Sequence, residues 1–210
     1  MRLKVSRRQF LGMTASFAAV TGLIGLADVV PNRSLVRPPG VIGEDRFLES
    51  CIRCGACADA CPVRGIGMAH LTDGLRNVGT PVLTGYCMVF RGLDNPGPAK
   101  TSAWRNNALA HGQQETCFDC ISVCPSDALR PVSVNQLRMG TAVVKKDRCL
   151  WYLHGVCGAP CARTCPFDAI SITTGPVVDE TKCVGCGQCD YVCLARTIGP
   201  TAITVEPKQT

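Results

Sequence analysis

Residues 51–61 read Cys-Ile-Arg-Cys-Gly-Ala-Cys-Ala-Asp-Ala-Cys, followed by Pro62. The run sets Cys51, Cys54, Cys57 and Cys61 at gaps of two, two and three residues. Near the C-terminus Cys183, Cys186, Cys189 and Cys193 repeat that spacing, with Gly185 and Gly187 between them and Leu194 in place of the proline. Gaps this short let three thiolates wrap one small inorganic core from a single tight loop, while the fourth cysteine faces a neighbouring core. Small residues between the thiols let backbone N–H groups approach the core's sulfur atoms. A proline just after the last cysteine fixes the exit of the loop and donates no competing N–H.

Two further groups complete the pattern. Cys149, Cys157, Cys161 and Cys165 have gaps of seven, three and three residues and end in Pro166; Trp151-Tyr-Leu-His-Gly155 fills the long gap. Cys117, Cys120 and Cys124, ending in Pro125, are short of one cysteine. The remaining cysteine, Cys87, lies thirty positions upstream of Cys117, and with it all 16 cysteines fall into four sets of four. Two readings of Cys87 stay open here. It completes the second site, or it is a buried free thiol beside a three-cysteine site. Such a site would hold [3Fe–4S], take a ligand such as His111, or be empty.

Zinc ribbons pair two Cys-x2-Cys knuckles across a longer gap. Here three or four thiols crowd into each short run, and three runs end in Cys-Pro. The expected cofactors are therefore [4Fe–4S] clusters, four of them if Cys87 is a ligand.

Composition agrees with a fold built around inorganic cores. In 210 residues only 5% are aromatic and 18% charged, so the organic core is thin. A large α/β enzyme with a substrate pocket, a coiled coil and a disordered chain do not fit. No apolar run after residue 30 is long enough to span a bilayer. The net charge of +6 falls to +2 once the four basic residues of positions 1–27 are set aside, which is no nucleic-acid footprint.

The N-terminus explains that excess charge. Ser6-Arg-Arg-Gln-Phe-Leu-Gly12 precedes an apolar, Gly/Ala-rich run from Phe10 to Ala27. A basic stretch before an apolar run is a signal-peptide pattern. Arg7 and Arg8 match the twin-arginine export motif, and Gly25-Leu-Ala27 offers a cleavage site. Residues 1–27 are thus expected to be a signal peptide or a retained anchor, with a linker over 28–50. An exported chain this rich in cysteine would ordinarily be a disulfide framework. The twin-arginine route carries proteins folded and loaded in the cytoplasm, which favours metal ligands instead. The expected location is the periplasm or the extracytoplasmic face of the membrane.

The groups begin at residues 51, 117, 149 and 183, so the last two intervals are 32 and 34 residues. Text between groups repeats too. Cys124-Pro-Ser-Asp-Ala-Leu leads through Thr141-Ala-Val-Val to Cys149, and Cys165-Pro-Phe-Asp-Ala-Ile leads through Pro176-Val-Val to Cys183. Each unit reads as a cluster loop, a helical turn and a small strand pair. The expected fold class is α+β, ferredoxin-like, as two dicluster modules with little regular structure. Residues 51–210 form the iron–sulfur region. One module takes 51–66 with 175–210, the other 110–174. Residues 67–109 are a loop-rich insertion holding Arg91–Lys100 and Trp104.

The whole pattern resembles the MauM/NapG family of ferredoxin-type proteins. The resemblance rests on the twin-arginine leader, Arg37-Pro-Pro-Gly40, Gly79-Thr-Pro81, Arg138-Met-Gly140, the Cys-Leu start of the third group and the proline-free last group. The second and third groups depart from the family's spacing. The family implies four [4Fe–4S] clusters in an exported, membrane-associated electron-transfer protein. NapG-type members relay quinol electrons, with a polytopic membrane partner, toward periplasmic nitrate reductase; MauM-type members belong to methylamine utilisation. By analogy with two-module ferredoxins, Cys193 joins Cys51, Cys54 and Cys57, and Cys61 joins Cys183, Cys186 and Cys189. Cys124 then joins Cys149, Cys157 and Cys161, and Cys165 joins Cys117 and Cys120, with Cys87 a candidate fourth.

No catalytic constellation is visible. His70, His111 and His154 are scattered, and His70 in Met-Ala-His-Leu reads as structural. The leading expectation is a non-catalytic relay of single electrons. Its partners would be a membrane-bound quinol-oxidising ferredoxin-like protein and a redox enzyme. Two alternatives stand beside it: a maturation factor for a redox enzyme, and the iron–sulfur subunit of a molybdenum-type oxidoreductase.

Overall fold

The computed structural model describes residues 6–8, 12, 14, 33–89, 116–155 and 157–208. The apolar run to Ala27, the Arg91–Lys100 loop, Trp104 and His111 lie outside or almost wholly outside the described residues. The chain divides into two units, Met1–Arg33 with His70–Val78, and Ser34–Ala69 with Gly79–Thr210.

In the first unit, Arg7 and Arg8 are helical and exposed. Leu71–Asp73 form a single 3-10 turn capped reciprocally by His70 and Asp73. The His70 N–H donates to Asp73 Oδ2 at 2.9 Å. Asn77 Nδ2 ties the turn down by donating to the Arg33 and Asp73 carbonyls at 2.9 and 2.8 Å.

The second unit contains every cysteine. Its helices are α1 (Glu44–Ser50), α2 (Ala56–Asp59), α3 (Asp119–Ser122), α4 (Leu150–His154), α5 (Pro160–Thr164) and α6 (Gln188–Tyr191). Its strands are β1 (Ile66–Met68), β2 (Pro81–Leu83), β3 (Gly140–Val144), β4 (Ile170–Ile172), β5 (Pro176–Val178) and β6 (Ile203–Pro207). They form three separate antiparallel pairs, β1–β2, β3–β6 and β4–β5. The expected strand through Thr141–Val144 is present. β3, however, finds its partner at the end of the chain, with Gly140 opposite Pro207 and Val144 opposite Ile203. That pairing closes residues 140–207 on themselves around the β4–β5 hairpin.

The helices are short because the cysteine loops force left-handed backbone beside them. Arg53 and Gly55 flank Cys54 with φ of 58° and 80°; Gly185 and Gly187 flank Cys186 with 74° and 78°. α2 and α6 each start just after the second of these residues, one turn at a time. In the third group Ala159 takes the left-handed position, and Pro160 opens α5 where its missing N–H costs nothing. Each Cys-Pro ending places the third residue after the cysteine in the same region: Arg64, Asp127 and Asp168 have φ of 49°, 53° and 49°. The proline-free ending differs, and Leu194–Thr197 instead make a 3-10 turn.

α1 delivers the first cysteine. Glu44 and Asp45 sit in its first turn, where the helix dipole favours acids. Phe47 is 1% exposed, and its carbonyl accepts from the Cys51 N–H at 2.8 Å. The buried Arg37-Pro-Pro-Gly40 segment braces this region. Arg37 Nη1 donates to Thr80 Oγ1 and to the Pro81 carbonyl, both at 2.9 Å, and the guanidinium pairs with Glu44.

Candidate metal centres

The sixteen thiols are all free, and only Cys54 is exposed. They gather into four sets. Cys51, Cys54, Cys57 and Cys124 line one cavity of about 330 Å³, open mouth included. Cys165, Cys183, Cys186 and Cys189 line a second of about 330 Å³, and Cys149, Cys157, Cys161 and Cys193 a third of about 360 Å³. The remaining thiols converge on Cys87. Its pKa stands well above the ordinary value, first through burial and then through the nearby thiols of Cys186, Cys120, Cys117 and Cys61.

These sets correct the pairing taken from two-module ferredoxins. Cys124, not Cys193, completes the first group, and Cys193 completes the third. Cys165 completes the last group, and Cys61 lies with Cys117, Cys120 and Cys87. Neighbouring groups share a pair of sites, rather than the first and last groups. The cause is topological. The packing of α2 on α3 joins groups one and two, while β3–β6 pairing and α5 on α6 join groups three and four.

Burial governs the electrostatics of these sulfurs. Cys120 is pushed up to about 12 by burial and by Cys57, Cys61 and Cys117. Burial, then a neighbouring thiol, raises Cys57 to about 11. Cys161 reaches about 11 and Cys186 about 12, burial again leading. Cys124 is the exception. Burial opposes ionisation there, but the Leu129, Ser126 and Ala128 N–H groups and the Ser126 hydroxyl outweigh it and lower the thiol.

Backbone donors already point at several sulfurs. The Gly65 N–H donates to Cys61 Sγ at 3.3 Å, and the Ala169 N–H to Cys165 Sγ at 3.4 Å. Both lie four residues beyond their cysteine, at matching points of the Cys-Pro repeat. The Ala142 N–H on β3 reaches Cys183 Sγ at 3.3 Å.

The donor set fits iron–sulfur clusters. Thiols packed this closely in an apolar setting resist ionisation alone, and bound iron supplies the positive charge that deprotonates them. Among the described residues no three His, Cys, Asp or Glu side chains surround one point closely enough for a single metal ion. The thiols ring hollows instead. One polar group beside a hollow lacks a protein partner: Gln188 Nε2 is the only buried side-chain nitrogen or oxygen among the described residues with no hydrogen bond. Sequence reasoning passed over Gln188. The signal available was its place between Gly187 and Cys189, where the first group has Ala56.

Comparison with known proteins agrees with the chemistry of the sites. Two family profiles, each described as a 4Fe-4S binding domain, match residues 47–66 and 115–128. The ferredoxin-type protein NapG of Escherichia coli is 35% identical over 90% of this chain and 81% of its own length. The methylamine utilization ferredoxin-type protein MauM of Methylophilus methylotrophus is 32% identical over 99% of this chain and 87% of its own. The formate dehydrogenase iron-sulfur subunit of Wolinella succinogenes is 36% identical, over 37% of this chain and 42% of its own. The cofactors are 4Fe–4S clusters, and the chain belongs to the NapG and MauM family of ferredoxin-type iron–sulfur proteins.

Proposed function

We propose that the chain is a non-catalytic relay that passes single electrons between two redox partners through four clusters in series. The observation that carries this reading is the order of the thiol sets. Cys57 of the first set raises the pKa of Cys120 in the second. Cys186 of the set around Cys183 does the same to Cys87. Cys161 of the remaining set acts in turn on Cys189. The packing gives the same order: α2 lies on α3, the Cys87 N–H donates to the Cys186 carbonyl, and α5 lies on α6. Bound clusters would supply one-electron chemistry at each station. The protein's own part is to hold the stations in line, to exclude water from the inner two and to set their potentials through N–H donors to sulfur.

On this reading all sixteen cysteines are ligands, Cys87 included. The donor is a membrane-bound quinol-oxidising protein and the acceptor an extracytoplasmic oxidoreductase, reached after export directed by Arg7 and Arg8. Among the described residues no helix is long and apolar enough to cross a membrane. The partial likeness to a formate dehydrogenase iron-sulfur subunit favours a second reading, a subunit held tightly by a catalytic chain.

The test begins with an anaerobic count of iron and acid-labile sulfide, with electron paramagnetic resonance of oxidised and reduced samples. The relay predicts about sixteen irons per chain and magnetically coupled signals on reduction. Reduction by quinol-linked membranes supports it, and failure to exchange electrons with any such fraction overturns it. Co-purification with a large catalytic chain in fixed ratio selects the second reading.

A further inference from the structure

We infer that Gln188 donates a hydrogen bond from Nε2 to sulfur of the cluster set among Cys165, Cys183, Cys186 and Cys189, making that station easier to reduce than the same station without this donor. This rests on the proposal that those four thiols hold a cluster.

Three observations converge on Gln188. Its side chain is 1% exposed, and its Nε2 has no hydrogen-bond partner. A buried amide left unpaired is costly, so native proteins supply an acceptor. The residue lines the cavity with the four thiols, and the rest of that lining carries no polar side chain. Sulfur is then the side-chain acceptor on offer. The backbone places the residue firmly. Gly187, left-handed with φ of 78°, starts α6 at Gln188, and the Gln188 N–H already lowers the pKa of the Cys186 thiol.

The electrostatic consequence has a definite sign. Reduction adds negative charge to the cluster, and a donor aimed at sulfur stabilises the more negative state. Donors to sulfur therefore raise the midpoint potential. The first group has the same loop, with Arg53 and Gly55 left-handed, but Ala56 stands where Gln188 stands. At this position of the loop the last group has a side-chain N–H donor and the first group has none.

The experiment uses the full-length protein, purified anaerobically. Comparing wild type with Cys183→Ser identifies the resonance signal of this station. If no signal is lost in Cys183→Ser, the ligand reading itself fails. With the signal identified, Gln188→Met keeps the length of the side chain and removes the donor. The expected result is unchanged iron content and a lower midpoint potential for that signal alone. A tenfold change in its reduced-to-oxidised ratio corresponds to 59 mV for one electron. Full iron content with that potential unmoved, or with the shift at another station, overturns the inference. If Gln188→Met loses iron, wild-type protein labelled with 15N at glutamine side chains decides: pulsed resonance should find a nitrogen coupled to the reduced station, and its absence rejects the hydrogen bond.

Discussion

The Cys87 N–H donates to the Cys186 carbonyl across 2.6 Å. One residue thus joins its backbone to the last cysteine group while its thiol lies among Cys61, Cys117 and Cys120. The Cys117 N–H in turn donates to the Val89 carbonyl at 2.9 Å, which holds the segment after Cys87 against the second group. The isolated cysteine of the sequence occupies the junction between the two pairs of sites.

Replacing Cys87 by serine should therefore cost one cluster. Iron should fall from about sixteen to about twelve atoms per chain, or by one atom if a three-iron site remains. Chemical iron analysis with resonance spectroscopy reads this directly. Unchanged iron and spectra would return Cys87 to the role of a buried thiol.

The corrected pairing can be tested by matching variants. Cys124→Ser should perturb the same resonance signal as Cys54→Ser, and Cys193→Ser the same signal as Cys157→Ser. The pairing expected from two-module ferredoxins would instead match Cys193→Ser with Cys54→Ser.

Arg37 is 4% exposed, donates to Thr80 and Pro81, and stacks over the Phe47 ring at 4.9 Å. Phe47 and Pro81 both line the first cavity. Arg37→Met should destabilise the fold by about 2–4 kcal/mol, through the lost buried hydrogen bonds to Thr80 and Pro81 and the lost contact with Glu44. Thermal unfolding followed by cluster absorbance measures it, and release of the first cluster should precede that of the others.

Gly185 combines a left-handed φ with close approach. A Cβ there would overlap the backbone of Gly140, the first residue of β3. Gly185→Ala should cost about 2–4 kcal/mol from strain and overpacking and should loosen β3 from the last group. Gly199→Ala is the control, since a Cβ there meets nothing within 4 Å. Equal melting temperatures for the two variants would contradict the packing.

Export supplies a last check. Arg7→Lys combined with Arg8→Lys should leave the loaded protein in the cytoplasm, as fractionation with an iron assay would show. Normal export of the double variant would remove the twin-arginine reading.

What was legible in the sequence follows from what is local. Thiols two or three residues apart must meet, so Cys51, Cys54 and Cys57 come together in one cavity as the spacing implies. The strand at Thr141–Val144 was legible from its β-branched residues. Its partnership with β6 was not, because two short apolar strands carry no label for each other. The fourth member of each set was misassigned for the same reason. Spacing says that Cys61 faces away from its own group, but packing between helices one turn long decides which group it meets. Gln188 was hidden because its meaning lies in a hydrogen bond it lacks, and no single-residue pattern encodes that.

Closure of residues 140–207 through β3 and β6 has a consequence for how the molecule is made. The eight thiols of the first two sets are all present once residue 124 has left the ribosome, and the other eight need only residues 149–193. Had the first and last groups shared sites, the two sites built on the first group could not be complete until residue 193. The chain can instead be loaded in order of synthesis, front half first, as domains commonly fold. The Cys87 N–H, bonded to the Cys186 carbonyl, is where the two halves join.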